Sequence, residues 1–309
     1  MLQVHGATLA PHGELQELAD IGALFAVAGP TLTDEPSVYA SRWFLRRMDA
    51  QVASNLRVDP LPLRDGSRAP AASLTDISQL VPQDVQRFRT LVVRRSPFGV
   101  RPPAQYALIW KGAAYAVWQR PVDATAAVSD LLVYPGRASC EDVEAYVKSA
   151  ADGAELAWAP SPSARAVPLV PEGRSPLRAG AVVSEGVLVG TVDVQSSGVT
   201  GLWLGGTVAG GAVVEIDGRV VARVAPRPAW PGTYVLLASP YLERGERAVR
   251  VRFSGSSWQP GSAAAAVGPV GELAVGGDGA AARLGSVDAT RIDALCSRQP
   301  AWVAAFAAR

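Results

Sequence analysis

Two spacings of apolar residues divide this chain. From about Gly180 to Val275, apolar and polar positions alternate in short runs, the period of a strand that buries one face. The runs VLVGTVDV, VTGLWLGG, GAVVEID, RVVARV, TYVLLAS and AVRVRFS are separated by turn residues at roughly ten-residue spacing. That grammar predicts an antiparallel β-sandwich, jelly-roll-like in type. Its sharpest instance is VVEIDGRVVARV, Val213 to Val224, where Asp217-Gly218 suits a two-residue hairpin turn.

The first half mixes periods. Leu15, Leu18, Ile21 and Phe25 predict an amphipathic helix over Gly13 to Val27, stopped by Gly29-Pro30. A short strand, PTLT, leads into Asp34-Glu35-Pro36. Pro36 suits the first turn of a second helix, Ser37 to Met48, and the two acids favour the positive end of its dipole. Tyr39 and Trp43 lie one turn apart on that helix. A short helical region follows around Leu74 to Phe88. TLVV predicts a strand ending in Arg94-Arg95, a pair that could clamp a phosphate or sugar carboxylate but reads better as a solvated strand end next to Pro97. YALIWKGAAYAVWQR then predicts a hairpin turning near Lys111-Gly112, with Tyr106, Leu108 and Trp110 on one face. Ser139 caps a helix striped by Val143, Tyr146, Val147 and Ala150, and AELAW returns as a strand. Pro160, Pro162, Pro168, Pro171 and Pro176 predict a stiff, extended connector. The expected fold is therefore α+β with two domains. An N-terminal α/β mixed-sheet domain spans 1–160 and an antiparallel β-sandwich spans 161–285. A tail, 286–309, returns to the first domain, anchored by Leu295, Trp302 and Phe306.

Composition narrows the class. Lys and Arg number 29 against 28 Asp and Glu, so no global field draws nucleic acid or an anionic membrane. Charged residues at 18% and hydrophobic residues at 49% exclude a disordered tail. No apolar run reaches bilayer-spanning length, and His12, Glu14 and Glu17 interrupt any signal-peptide core.

Candidate chemistry is sparse. His5 and His12 are the only histidines, too few for a metal cluster or a nucleophile–histidine site. No metal is expected for want of ligands, and no cofactor, because no Walker loop is present and the glycines of WLGGTVAGG do not open a helix after a strand. Asp34 and Glu35 are the catalytic candidates, since a glycosidase needs paired carboxylates and strand-to-helix junctions hold ligands. Helix capping is the structural alternative for both acids. Trp230 and Trp258 fall in loops and Tyr234 beside them, where flat aromatic faces can stack on sugar rings. Trp203, between two leucines in a strand, belongs to the core.

The runs GPTLTDEPSVYASRWFLR, RTLVVRRSP and PPAQYALIWKGAAYAVWQRP, with IDGRVVARV, PGTYVLL and CSRQPAWV, carry a resemblance. Together they are similar to the extracytoplasmic C-terminal region of actinobacterial multi-spanning, glycosyltransferase-like membrane proteins. The resemblance covers most of the chain and implies that membrane spans and sugar-transfer chemistry precede Met1. It implies a non-catalytic extracytoplasmic module that presents or binds cell-envelope glycan, partnered by that glycan or by the membrane-embedded portion. A secreted glycoside hydrolase using Asp34 or Glu35 is the enzymatic alternative, and a purely structural docking domain is the third. In that compartment Cys140 and Cys296, the two cysteines of the chain, are expected to form a disulfide.

Overall fold

The computed structural model describes residues 12–53, 60–70, 74–122, 127–132, 140–149, 155–172, 186–208, 211–227, 229, 232–254, 272–278, 283–288, 295–296, 298 and 300–306. The chain divides into two compact units, Glu17–Pro162 with Asp278–Arg309 and Met1–Gln16 with Ser163–Gly277.

Helix α1 runs His12–Leu24 and stops three residues short of the expected end. Val27 takes φ 63°, a left-handed conformation, and its N–H bonds to Arg47 O at 3.1 Å instead of continuing the helix. Gly22 is needed where α1 meets the next helix, because a Cβ there would sit 1.9 Å from Phe44 O. Strand β1 (Thr31–Thr33) is wholly buried and precedes helix α2 (Val38–Phe44). The expected helix to Met48 is shorter, with a 3-10 turn at Arg46–Met48 completing it. Ser37 is its N-cap, its Oγ accepting the Ala40 N–H, so Pro36 lies before the cap and not in the first turn.

Strand β2 (Ala50–Val52), a 3-10 turn at Ile77–Gln79, helix α3 (Pro82–Val85) and strand β3 (Thr90–Arg94) follow. The hairpin β4 (Ala107–Lys111) and β5 (Tyr115–Gln119) turns where expected. One mixed sheet results, ordered β2-β1-β3-β5-β4, with β1 parallel to β2 and β3 and the remaining pairs antiparallel. Leu32, Leu91, Val93, Ala116 and Trp118 bury one face against Leu80, Val85 and Phe88. Tyr106 is buried but precedes the strand, and Leu108 and Ile109 are exposed on the edge strand, so the single apolar face expected for β4 is not formed.

Strand β6 (Ala127–Leu132), helix α4 (Cys140–Ser149) and strand β7 (Glu155–Pro160) open a second sheet. The proposed cap Ser139 and the last stripe residue Ala150 lie outside the described residues.

The proline-rich segment is no connector. It supplies strands β8 (Arg165–Val167) and β9 (Val170–Pro171), the latter on a sheet edge where a missing N–H costs no ladder bond. The series continues with β10 (Gly186–Val194), β11 (Gly198–Val199), β12 (Leu202–Gly205), β13 (Gly211–Ile216) and β14 (Arg219–Val224). It ends with β15 (Tyr234–Ala238), β16 (Tyr241–Leu242), β17 (Gly245–Ser254) and β18 (Leu273–Val275). Two antiparallel sheets form, ordered β14-β13-β17-β10-β9 and β15-β12-β18-β8, with β11 and β16 as a separate ribbon. Neighbouring strands that are distant in sequence, β8 with β18 and β10 with β17, are the long connections of a jelly roll. Each strand turns alternate residues inward. Leu188, Val192 and Val194, Ala212, Val214 and Ile216, and Val249, Val251 and Phe253 meet Leu202, Leu204, Leu273 and Val275 in one core. Asp217 and Gly218 take φ 50° and 76°, the two positive angles that the β13–β14 turn requires.

The chain then returns to the second sheet with β19 (Gly285–Asp288) and β20 (Pro300–Phe306), giving the antiparallel order β19-β7-β20-β6. Val303 and Ala305 face Val143, Val147, Leu156 and Leu295. A disulfide joins Cys140, at the start of α4, to Cys296, with Cα atoms 5.2 Å apart.

Candidate functional site

The sequence TLTDEP places two acids directly after a strand with parallel neighbours on both sides, the end at which α/β sheets hold ligands. Both side chains are buried, Asp34 to 6% exposure and Glu35 to 2%. Asp34 Oδ1 accepts the main-chain N–H of Arg94 at 2.8 Å. Glu35 Oε2 accepts Arg94 Nε–H at 2.7 Å and the Tyr115 hydroxyl at 2.6 Å, while Oε1 accepts the Ser37 N–H at 3.0 Å. The Arg94 guanidinium stacks over the Tyr115 ring at 4.9 Å, its cross-strand partner in register. Neither acid caps α2, and Arg94 is not a solvated strand end.

Arg95 is equally buried. Its Nε–H donates to Asp278 Oδ2 at 2.8 Å, and one terminal nitrogen donates to Gly112 O and Ala113 O. Lys111 Nζ shares the same Asp278 oxygen at 3.1 Å. The adjoining turn is held from α1, where Glu17 accepts the N–H groups of Ala113, Ala114 and Tyr115 at 2.7, 2.9 and 3.1 Å. Gly112 leaves room for that carboxylate, since a Cβ there would lie 2.5 Å from a Glu17 oxygen. A third arginine, Arg101, lies 4.7 Å over the Trp118 ring and 6.0 Å over Trp302, and donates to Pro102 O and Tyr106 O. Burial lowers its pKa to about 10.

This network defines what the acids can do. Burial raises the Asp34 pKa well above its usual 3.8, and the Arg94 N–H and charge pull it part of the way back. Asp76 is raised by burial as well. A proton-holding carboxyl can serve as a general acid, but only if a substrate reaches it. Asp34 is spent on a main-chain N–H and Glu35 on three donors, and both lie beneath the surface. Their arrangement is that of a structural ion cluster that locks the end of β3 to the β1–α2 connection.

The other predicted positions do not converge on these acids. Tyr234 lies half-buried on β15, its ring packed over Gly205 of β12, and its hydroxyl donates to Glu272 Oε2 at 2.7 Å. Burial and that carboxylate raise its pKa. Trp230 and Trp258 lie outside the described residues, as does His5. Trp203 is core, 1% exposed, with Nε1 donating to Gly276 O at 3.1 Å. Glu144 lies beside Cys140 and Cys296, yet both sulfurs are in the disulfide and leave no thiolate for a metal. Sequence reasoning missed Arg95 with Asp278, Arg101 and Tyr115. Only the doubled arginine signalled the first, and nothing local signals a partner 183 residues away.

No family model matches this chain. No curated protein matches it. Among solved structures, a β-galacturonidase from Eisenbergiella tayi bound to galacturonate is 16% identical over 36% of this chain and 23% of its own, with a TM-score of 0.22. A β-(1,4)-mannanase from Podospora anserina is 11% identical over 45% of this chain and 28% of its own, TM-score 0.20. An exo-β-1,3-galactanase from Phanerochaete chrysosporium is 16% identical over 52% and 32%, TM-score 0.21. The chain thus spans between 23% and 32% of the length of these three proteins. Superpositions this partial carry no argument about substrate or chemistry. Among the described residues, no helix is long and apolar enough to cross a membrane.

Proposed function

We propose that this chain is a non-catalytic extracytoplasmic module of a membrane-associated, glycosyltransferase-like system, and that it presents or binds cell-envelope glycan. The observation that carries the non-catalytic part is the state of the acid pair. Asp34 and Glu35, the residues a hydrolase would use, are 6% and 2% exposed and bound to Arg94, Tyr115 and main-chain N–H groups. The Cys140–Cys296 disulfide supports a compartment outside the cytoplasm, where such bonds persist. Motif order, from GPTLTDEP to CSRQPAWV, supports the kinship with glycosyltransferase-like membrane proteins. The jelly-roll fold, together with Trp230 and Trp258 in its sequence, supports a role in sugar binding.

Retention of the whole chain on immobilised envelope polysaccharides tests the reading. The parent is expected to be retained and to release no reducing sugar. Hydrolysis that is abolished by Glu35→Gln would replace this reading with the glycosidase. Absence of retention on every polysaccharide would leave only a structural docking role.

A further inference from the structure

We propose that a groove in the α/β unit binds an anionic saccharide, with Arg42 and Arg87 holding its acidic group. This rests on the glycan-binding reading and moves the contact away from the sandwich loops. The groove has a volume of about 370 Å³ and is lined by Pro30, Arg42, Asp49, Ala50, Gln51, Arg87 and Phe88. That volume falls within the range of small-ligand sites.

The groove lies at the amino ends of β1, β2 and β3, opposite the buried ion cluster. Pro30 precedes β1, Asp49 precedes β2 and Ala50 opens it, and Phe88 precedes β3. Its base is held by the main chain: Thr31 N–H donates to Asp49 O at 3.2 Å, and the N–H groups of Arg89 and Thr90 donate to Pro30 O at 2.9 and 3.2 Å. Asp49 itself adopts a left-handed conformation, φ 49° and ψ 52°. Asp tolerates that region better than most residues, and here it ends the 3-10 turn just before the groove wall.

The lining has a definite chemistry. Two guanidinium groups match a carboxylate or phosphate with paired, charge-assisted hydrogen bonds. Asp49 repels a bare anion, yet together with Gln51 it supplies the acceptors and donors that sugar hydroxyls need. Exposed Pro30 adds apolar surface for the non-polar face of a ring, and the edge of the buried Phe88 closes the groove beneath it. Arg87 is 71% exposed in its side-chain pair with Asp84, a contact weak enough to exchange for a ligand. Helix α2 extends the same character outward, because residues 39, 42 and 43 share one helical face and Arg46 follows in the 3-10 turn. Tyr39 is 87% exposed and Trp43 67%, with the Arg46 guanidinium 5.2 Å over the Trp43 ring. Aromatic and guanidinium groups thus alternate beside the groove on exposed side chains.

Calorimetric titration of the whole chain with a galacturonate trisaccharide, a mannose phosphate oligosaccharide and a neutral galactotriose tests the proposal and separates carboxylate from phosphate. At least one anionic ligand is expected to bind more tightly than the neutral one and to weaken as salt is raised. Arg42→Gln and Arg87→Gln are each expected to weaken it by roughly ten-fold or more, the loss of one charge-assisted contact. Arg223→Gln, an exposed arginine of β14, is expected to change nothing. Melting curves check folding of the variants, and shifts of the Gln51 side-chain amide in the NMR spectrum of the parent locate the ligand without any substitution. Equal binding of neutral and anionic sugars, or binding indifferent to both arginine changes, overturns the proposal. Binding lost in Trp230→Ala with Trp258→Ala but intact in the arginine variants overturns this placement alone and leaves glycan binding standing. No binding of any saccharide removes both.

Discussion

The two units bury different things. In the jelly roll, the residues of β10, β12, β13, β17 and β18 that meet in the core are aliphatic or aromatic, and the Arg252–Glu215 pair lies on the outer face of its sheet. The α/β unit buries Asp34, Glu35, Arg94, Arg95 and Arg101 beside its apolar cores. A sandwich whose strands alternate in and out excludes water by parity alone. A mixed sheet with parallel strands ends in main-chain groups and connections that need partners, and here charged side chains fill that need. The first kind of stability is indifferent to pH and tolerates volume-conserving changes. The second fails when one partner is removed.

Removing the disulfide tests the α/β unit most severely. The bridge spans 156 residues, so replacing both cysteines by serine is expected to cost about 5 kcal/mol in the chain-entropy model, with urea denaturation as the measure. Amide exchange should rise in α4 and β20 while β13 and β17 keep their protection. An unchanged urea midpoint would show that the bridge constrains nothing.

Arg94→Met strands the Glu35 carboxylate in the interior and is expected to cost about 3–5 kcal/mol. Arg94→Met combined with Glu35→Leu should lose less than the sum of the single changes, because the two groups are in contact. Simple additivity would refute the idea that they act as one cluster. The counterpart in the jelly roll is Leu204→Ala, fully buried, expected to cost about 2–5 kcal/mol by cavity formation. Its loss should be the same at mildly acid and neutral pH, and a pH-dependent loss would erase the contrast between the units.

Asp34 sharpens that contrast with a smaller effect. Its pKa in the folded chain lies well above the usual 3.8, so the folded state holds this proton more tightly than the unfolded state. The stability it contributes is complete below 3.8 and is lost as pH rises through the folded value. Asp34→Asn keeps an oxygen for the Arg94 N–H and should remove that decline. The variant is expected to melt a few degrees higher than the parent near neutrality and no higher in acid. A parent Tm that falls no faster than the variant's would contradict the assignment. Smallest of all, Lys148→Ala breaks an exposed pair with Glu144 on α4 and should cost under about 0.5 kcal/mol.

Period, parity and turn chemistry were legible in the residues themselves. Alternation in VLVGTVDV and GAVVEID predicted strands that bury every second residue, and Asp217-Gly218 predicted a hairpin, because both signals depend only on near neighbours. The same local rules misread the proline-rich segment around Pro168 and Pro171 as a connector. β8 becomes a strand only through β18, far along the chain, and β9 by pairing with the next strand, β10. The acids after β1 were found by type, but their role was not. Glu35 meets Arg94 across 59 residues and Arg95 meets Asp278 across 183, so whether these charges face water or each other was decided by strand order. Desolvation then settled it: a carboxylate carried inside by the sheet must be matched there, and only the tertiary structure brings the matching cation.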